Sequence, residues 1–312
     1  MSEKVCIFAG ETLSGLCFCC GLWGRLRVVA EAFRRCEKKA AFPYIMKVKE
    51  ILDALEEFAP LALQDGYDNA GLQIGLAEDA EATGALLCLD VTEAVVDEAV
   101  ALGCNLVVSH HPLLFHGLKS VTADEYVGRT VMKAVRSGVA VYAAHTNLDS
   151  AMGGVNWKMA EKLGLQDLQW LSPKGEYVRR GETVTAGEGL VGVLPQEMRA
   201  KVFFEYVKET FGLKSLRVNA AEKEMVERVA LCGGAGAFLI QKAVASGADV
   251  FLTGEIGYHR FFGHEQDIIL MEMGHYESER YTVEVLRDIL WHADPTLPIH
   301  DTKLKINPIN YL

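Results

Sequence analysis

The run Asn105-Leu106-Val107-Val108, closed by Ser109-His110-His111-Pro112, sets the tightest limit on what this chain can fold into. Four mostly apolar, partly β-branched residues read as a buried strand, and the proline stops the extended run. Neighbouring strand residues point to opposite faces, so His110 and His111 cannot face one cation squarely unless the chain turns there. A bend at the strand's end would instead let each imidazole serve a different metal.

The surrounding pattern is regular from Met46 onward. Val48, Ile51, Leu52, Leu55 and Phe58 fall at helical spacing, and Pro60 ends that helix. A polar, glycine-containing loop over 65–72 follows, then a strand over 85–91, Thr92 as a helix N-cap and a helix over 94–102. Beyond the double histidine the pattern predicts a helix over about 124–137 and a strand over 139–144. Strands alternating with helices of this length indicate βαβ units, hence an α/β fold with a largely parallel sheet.

Further along, 153–163 reads as helical and 171–189 as a polar, glycine-rich loop or hairpin. A βαβ-like section covers 190–194, 197–211 and 215–219. A second alternating series begins at 229–231, ends in a long helix over about 277–292, and leaves 299–306 as a final strand. The expected organisation is an N-terminal α/β lobe over 46–165 and a connecting segment over 166–225. A C-terminal α/β lobe over 226–312 then completes the site.

Composition narrows the partners. The chain has 312 residues, half of them hydrophobic, enough for one large or two medium domains. A net charge of −11 argues against a nucleic-acid backbone as main partner. A phosphorylated small molecule stays compatible, because a bound metal can reverse the local field. No apolar run approaches the roughly 20 residues of a membrane span. Five of the eight cysteines fall in the first 36 residues, and Cys88, Cys104 and Cys232 sit in apolar strand-like surroundings. That is no disulfide framework, so a reducing cytoplasm is the expected compartment.

Residues 1–45 differ from the rest. They carry seven Lys/Arg and four Asp/Glu, whereas the remainder carries 24 against 38. Cys17-x-Cys19-Cys20 has no second Cys/His pair at zinc-site spacing. The expectation is an extension outside the fold, with Met46 as the natural start.

Two stretches repeat. Gly103-Cys104-Asn105-Leu106-Val107-Val108-Ser109 lines up with Gly247-Ala248-Asp249-Val250-Phe251-Leu252-Thr253. The strand over 139–144 leads into His145-Thr146-Asn147-Leu148-Asp149, and 268–274 leads into His275-Tyr276-Glu277-Ser278-Glu279. Any two βαβ units share some of this, yet either way polar groups gather at strand C-termini, where ligands bind in open α/β sheets.

The strand-end groups are His110, His111, His145, Asp149, Glu255, His259, His275 and Glu279. Imidazole with carboxylate suits Zn, Fe, Mn, Co or Ni. If 275–279 is helical, the i,i+4 spacing puts His275 and Glu279 on one face. Each piece alone is weak: lone histidines such as His116, His264, His292 and His300 are usually surface or hydrogen-bonded residues, and single acids are usually caps or solvated charges. Recurrence at corresponding strand ends is what raises the joint signal. Gly-x-Ser-x-Gly and the P-loop pattern are absent; Gly233-Gly234-Ala235-Gly236 reads either as an anion-holding turn or as a tight strand-to-helix turn.

The ordered set Asp68-Asn69-x-Gly71-Leu72-Gln73, Ser109-His110-His111-Pro112-Leu113, His145-Thr146-Asn147-Leu148-Asp149, Thr253-Gly254-Glu255 and Gly274-His275-x-x-x-Glu279 resembles the Nif-three-like dinuclear-metal family. Its bacterial members are labelled GTP cyclohydrolase 1 type 2 homologues. The resemblance runs from Met46 to near the C-terminus and implies two related α/β lobes with the metal site between them. It implies two divalent ions per subunit on His110, His111, Asp149, His275 and Glu279, with Glu279 bridging. Asp68, Asn69, His145 and Glu255 would stand behind these or meet substrate; for Asp68-Asn69 the alternative is an Asx-type turn. A toroidal homohexamer of the short form, lacking the family's inserted domain, is also implied.

The leading expectation is a cytoplasmic metal-dependent hydrolase, with a metal-bridging water attacking a nucleotide-like or phosphate-containing small molecule. The rivals are a metal-binding or metal-delivery protein without turnover, and a scaffold ring whose metals join the lobes.

Overall fold

The computed structural model describes residues 45–77 and 79–312. The expectations placed on the N-terminal extension fall on 1–44, outside the described residues. Met46–Leu312 forms one unit built on two sheets.

The first sheet contains β1 (Gly71–Ile74), β2 (Ala85–Cys88), β3 (Leu106–Ser109), β4 (Ala140–Ala143) and β11 (Ile299–Asp301), in the order β1-β4-β3-β2-β11. Strands β4, β3, β2 and the edge strand β11 are parallel, and β1 runs antiparallel at the other edge. Helices α2 (Glu93–Ala101) and α3 (Tyr126–Ser137) pack on one face, where Leu86, Val107 and Val141 meet Val95, Val96 and Ala134. On the other face Leu87, Val108 and Tyr142 meet Ile51 and Leu55 of α1 (Val48–Phe58) and Leu286 and Leu290 of α9 (Thr282–Ala293). Cover on both faces is why β3 is an unbroken apolar run instead of an alternating one.

The second sheet is mixed. It contains β5 (Gln166–Arg179), β6 (Glu182–Arg199), β7 (Arg217–Val218), β8 (Met225–Cys232), β9 (Val250–Thr253) and β10 (Ile269–Glu272), in the order β5-β6-β8-β9-β10-β7. Its centre, β8-β9-β10, is parallel, and the outer pairings are antiparallel. Residues 166–225, expected as a βαβ-like connection, thus supply three strands of this sheet and α6 (Ala200–Phe211). The antiparallel edge follows from a connection too short for a crossover: Arg180 and Gly181 alone join β5 to β6. Both have positive φ, 52° and 79°, the two-residue turn that matches strand twist. Helices α5 (Val155–Lys162) and α6 cover one face through Met159, Phe203 and Phe211, and α7 (Ile240–Ala245) covers the other.

The sequence repeat has a structural counterpart. Strands β3 and β9 each lie between two parallel neighbours, and each is entered through a glycine at φ 73°, Gly103 and Gly247. Asn105 and Asp249, at matching positions, both accept from backbone amides, Asn105 from Thr83 just before β2 and Asp249 from Arg228 within β8.

Two expected elements differ. The long C-terminal helix divides into α8 (His275–Glu279) and α9, with Arg280 turned back to donate to the Phe211 carbonyl. The final strand is only Ile299–Asp301, and it pairs with β2 in the first sheet. No helix among the described residues is long and apolar enough to cross a membrane.

An arginine in the left-handed region is strained by about 1 kcal/mol relative to asparagine or glycine. Arg180→Asn should therefore raise stability by about 0.5–1 kcal/mol, read as a higher midpoint in chemical denaturation. An unchanged or lower midpoint would count against the turn assignment.

Candidate metal centre

The C-terminal ends of β3, β4, β9 and β10 deliver the candidate residues. Past β3, the Ser109 hydroxyl donates to the His111 carbonyl at 2.8 Å and turns the chain. The turn removes the strand's opposition: the His110 and His111 rings stand 5.0 Å apart between centroids, tilted by 43°. Past β4, His145 leads into the short helix α4 (Thr146–Ser150), which carries Asp149. His275 and Glu279 open and close α8, past β10, and the i,i+4 spacing sets Nε2 and Oε2 3.0 Å apart.

Four histidines divide their nitrogens in the same way. His110 Nδ1 lies 2.7 Å from the Ala144 carbonyl, so Nδ1 carries the proton. His111 Nδ1 meets Asp90 at 2.8 Å, His145 Nδ1 meets Asp68 at 2.7 Å, and His275 Nδ1 meets Glu255 at 3.1 Å. An acceptor on Nδ1 fixes the ring and leaves Nε2 as the ligating atom.

The Nε2 atoms and two carboxylates then fall into groups. His111 Nε2, His275 Nε2 and Glu279 Oε2 lie 3.0–3.3 Å from one another. Around the other oxygen, His110 Nε2 is 3.6 Å from Glu279 Oε1 and 3.7 Å from Asp149 Oδ1. Each of these sets could hold a metal ion, as could His110, His111 and His145. The fit to a cation is carried by two atoms: His110 Nε2 and Asp149 Oδ1 are buried and make no hydrogen bond within the protein. A neutral His110 ring, protonated on Nδ1 alone, would turn a bare lone pair towards two carboxylates, whose charges favour a proton on Nε2 or a cation in its place. That arrangement is costly unless a positive charge stands between them.

Electrostatics agree. Burial opposes charge on Glu279, yet His110, His111 and His275 hold its carboxyl well below the usual range. Burial works against the His111 imidazolium too, but its bonds to Asp90 and Glu279 push it up to about 10. Asp68 is buried, and its bonds from His145 and Thr146 bring it down to about 2. Burial pushes the Asp149 carboxyl up, with His110 opposing and the charge of Glu279 reinforcing it.

The sequence-expected residues therefore converge to different degrees. His110, His111, Asp149, His275 and Glu279 meet, His145 joins them, and Asp68 and Glu255 sit behind histidines. Asn69 donates to the Leu114 carbonyl at 2.6 Å, bracing the loop after the double histidine. His259 stacks with Tyr258 and Phe262 on an exposed turn instead. The glycine run at 233–236 backs the cluster: a Cβ on Gly234 would collide with Glu279 Oε1. Asp90 lies outside the sequence-expected site, because the apolar pattern carries the strand through to Val91 whereas β2 ends at Cys88. An acid just past a strand's C-terminus was its available signal.

A cavity of about 420 Å³ opens on the cluster, with Tyr67, Phe115, Phe238 and Lys174 also on its walls. A larger cleft, about 910 Å³, lies among α1, α5, α9 and the β5–β6 hairpin and contains none of the cluster residues.

Residues 46–308 match the family model described as Duf34/NIF3 (NGG1p interacting factor 3). A GTP cyclohydrolase 1 type 2 homolog from Clostridium acetobutylicum is 34% identical over 242 residues, 77% of this chain and 88% of that protein. One of the same name from Lactococcus lactis is 34% identical over 269 residues, 84% of this chain and 98% of its own. Among solved structures, the Bacillus cereus protein related to NIF3 superposes with a TM-score of 0.77 at 27% identity. That match covers 86% of this chain and 100% of that one.

The raised His111 and lowered Glu279 give the metal-free protein a defined pH profile. His111 stabilises fully below its ordinary value of 6.5 and loses that contribution as pH rises towards about 10. Glu279 stabilises above its ordinary value of 4.5 and loses that contribution as pH falls. Thermal unfolding in chelator should be highest between roughly pH 4.5 and 6.5 and decline on the alkaline side. His111→Gln should flatten the alkaline limb; an equally steep limb in that variant would refute the assignment.

Proposed function

The chain belongs to the Duf34/NIF3 family, and from that premise we propose that its cluster holds two divalent cations bridged by Glu279. The observation that carries the reading is the splitting of one buried carboxylate between two ligand sets. Oε2 stands with His111 and His275, and Oε1 with His110 and Asp149. Ligands on one tetrahedral cation, at bond lengths of about 2.0–2.1 Å, lie about 3.3 Å apart, close to the first set's 3.0–3.3 Å. Zn, Fe, Mn, Co and Ni all suit this donor set.

We further propose a metal-dependent hydrolase acting on a nucleotide-like or phosphate-containing small molecule. When bound, such an ion pair supplies Lewis acidity and activates water near neutral pH. The protein's own part is orientation. Asp90, Glu255 and the Ala144 carbonyl fix the imidazoles, and the glycine loop presses Glu279 into place. His145 lines the cavity with Nδ1 held by Asp68, which leaves Nε2 to take up or release a proton beside the substrate. The walls contributed by Tyr67, Phe115 and Phe238 suit a planar base, and the cavity has the volume of a small-molecule site. A carrier without turnover is the second reading; the one-third exposure of His275, which would let a partner reach an ion, favours it.

Reconstitution with each of the five metals, followed by elemental analysis, should give close to two equivalents. His111→Ala and Glu279→Ala should each lose at least one. No bound metal under any of these conditions sinks the reading. Loaded protein assayed on GTP and a panel of phosphoesters separates enzyme from carrier: hydrolysis abolished by Glu279→Ala supports the enzyme. Metal passed to an apo-acceptor with no substrate consumed makes it a carrier.

A further inference from the structure

We infer that Asn156 is a positioning residue that sets the separation between the two ligand sets, through a hydrogen-bonded strap made entirely outside the ligand side chains. The inference rests on the two-ion reading above. Asn156 lies in the first turn of α5 and is 2% exposed. Its Nδ2 donates to the Asp149 carbonyl at 3.1 Å, and its Oδ1 accepts from the Gly233 amide at 2.9 Å. The next amide, Gly234, donates to Ser278 Oγ at 3.0 Å, and that hydroxyl donates to the His275 carbonyl at 2.8 Å. Four bonds thus tie the backbone that carries Asp149, in the first half of the site, to the helix that carries His275 and Glu279.

The chemistry of the strap suits an amide. One end needs a donor and the other an acceptor, and a carboxylamide offers both from one short, planar group. Asn156 and Ser278, which supply the side-chain atoms of the strap, are both buried. Packing holds the strap taut: a Cβ on Gly233 would lie 3.2 Å from Val155 Cγ1 and 3.5 Å from Glu279 Cγ, so the loop is wedged between α5 and Glu279.

The two ligand sets depend on this strap unequally. His275 and Glu279 keep their spacing through the turn of α8, and His111 is placed separately by β3 and Asp90. Of the two ligands whose backbone the strap holds, Asp149 is the one bonded to Asn156 itself, whereas the Ser278–His275 bond lies within α8. Loosening the strap lets Asp149 drift from Glu279 Oε1 and weakens the set made with His110.

Titration of metal-free protein with Co²⁺, followed by visible absorption and calorimetry, tests this. Asn156→Asp keeps an oxygen for the Gly233 amide and removes the donor to the Asp149 carbonyl. Wild type should take two equivalents; the variant should keep the tighter one and bind the other about tenfold or more weakly, the usual size of an outer-shell effect. The variant's melting temperature without metal should fall, because it buries a carboxylate and leaves the Asp149 carbonyl without its donor, so the split between the two ions is the deciding readout. Asn156→Ser, too short to span both partners, should give the same split and serves where the aspartate variant does not fold. Unchanged binding of both ions overturns the inference, and so does equal weakening of both, which marks a general structural role. Wild type that takes fewer than two ions overturns the two-ion reading itself, and the inference with it.

Discussion

The structure depends on one buried carboxylate. Glu279 has its side chain 4% exposed and keeps both oxygens away from bulk water. A charge so placed is costly unless opposite charge and hydrogen-bond donors surround it. Three imidazoles do so here, and each is set by a partner on its far nitrogen. Those partners come from the β2 and β4 ends of one sheet and the β9 end of the other.

This requirement explains features that look unrelated. Glycine at 234 leaves the carboxylate the space a side chain would take. Gly254, just past β9, likewise lies so close to the 234 carbonyl and Ser278 that no side chain fits. The break between α8 and α9 separates the short ligand-bearing helix from the longer one that covers the first sheet. A single continuous helix would have to satisfy both placements with one axis.

Parallel strands are the means of convergence. In β2-β3-β4 and in β8-β9-β10 every C-terminus leaves on one edge, so the polar residues that follow each strand share that edge. The antiparallel strands β5 and β6 do a different task. They widen the second sheet and bring Lys174 and Glu188 to the wall of the cavity.

Much of this was legible in the chain. An apolar run such as 106–108 has to be covered on both faces, two histidines before a proline have to leave the strand, and His-x-x-x-acid has to share a helical face. Those are local consequences of backbone period and sterics, and residues a few positions apart determine them. Tertiary structure alone decided the rest. The pairing of 299–301 with β2, the partnership of Asp90 with His111, and the bond from the Gly233 amide to Asn156 join residues 21 to 214 positions apart. No short-range period encodes such a meeting, because it is selected by how two buried sheets and their helices fill space together.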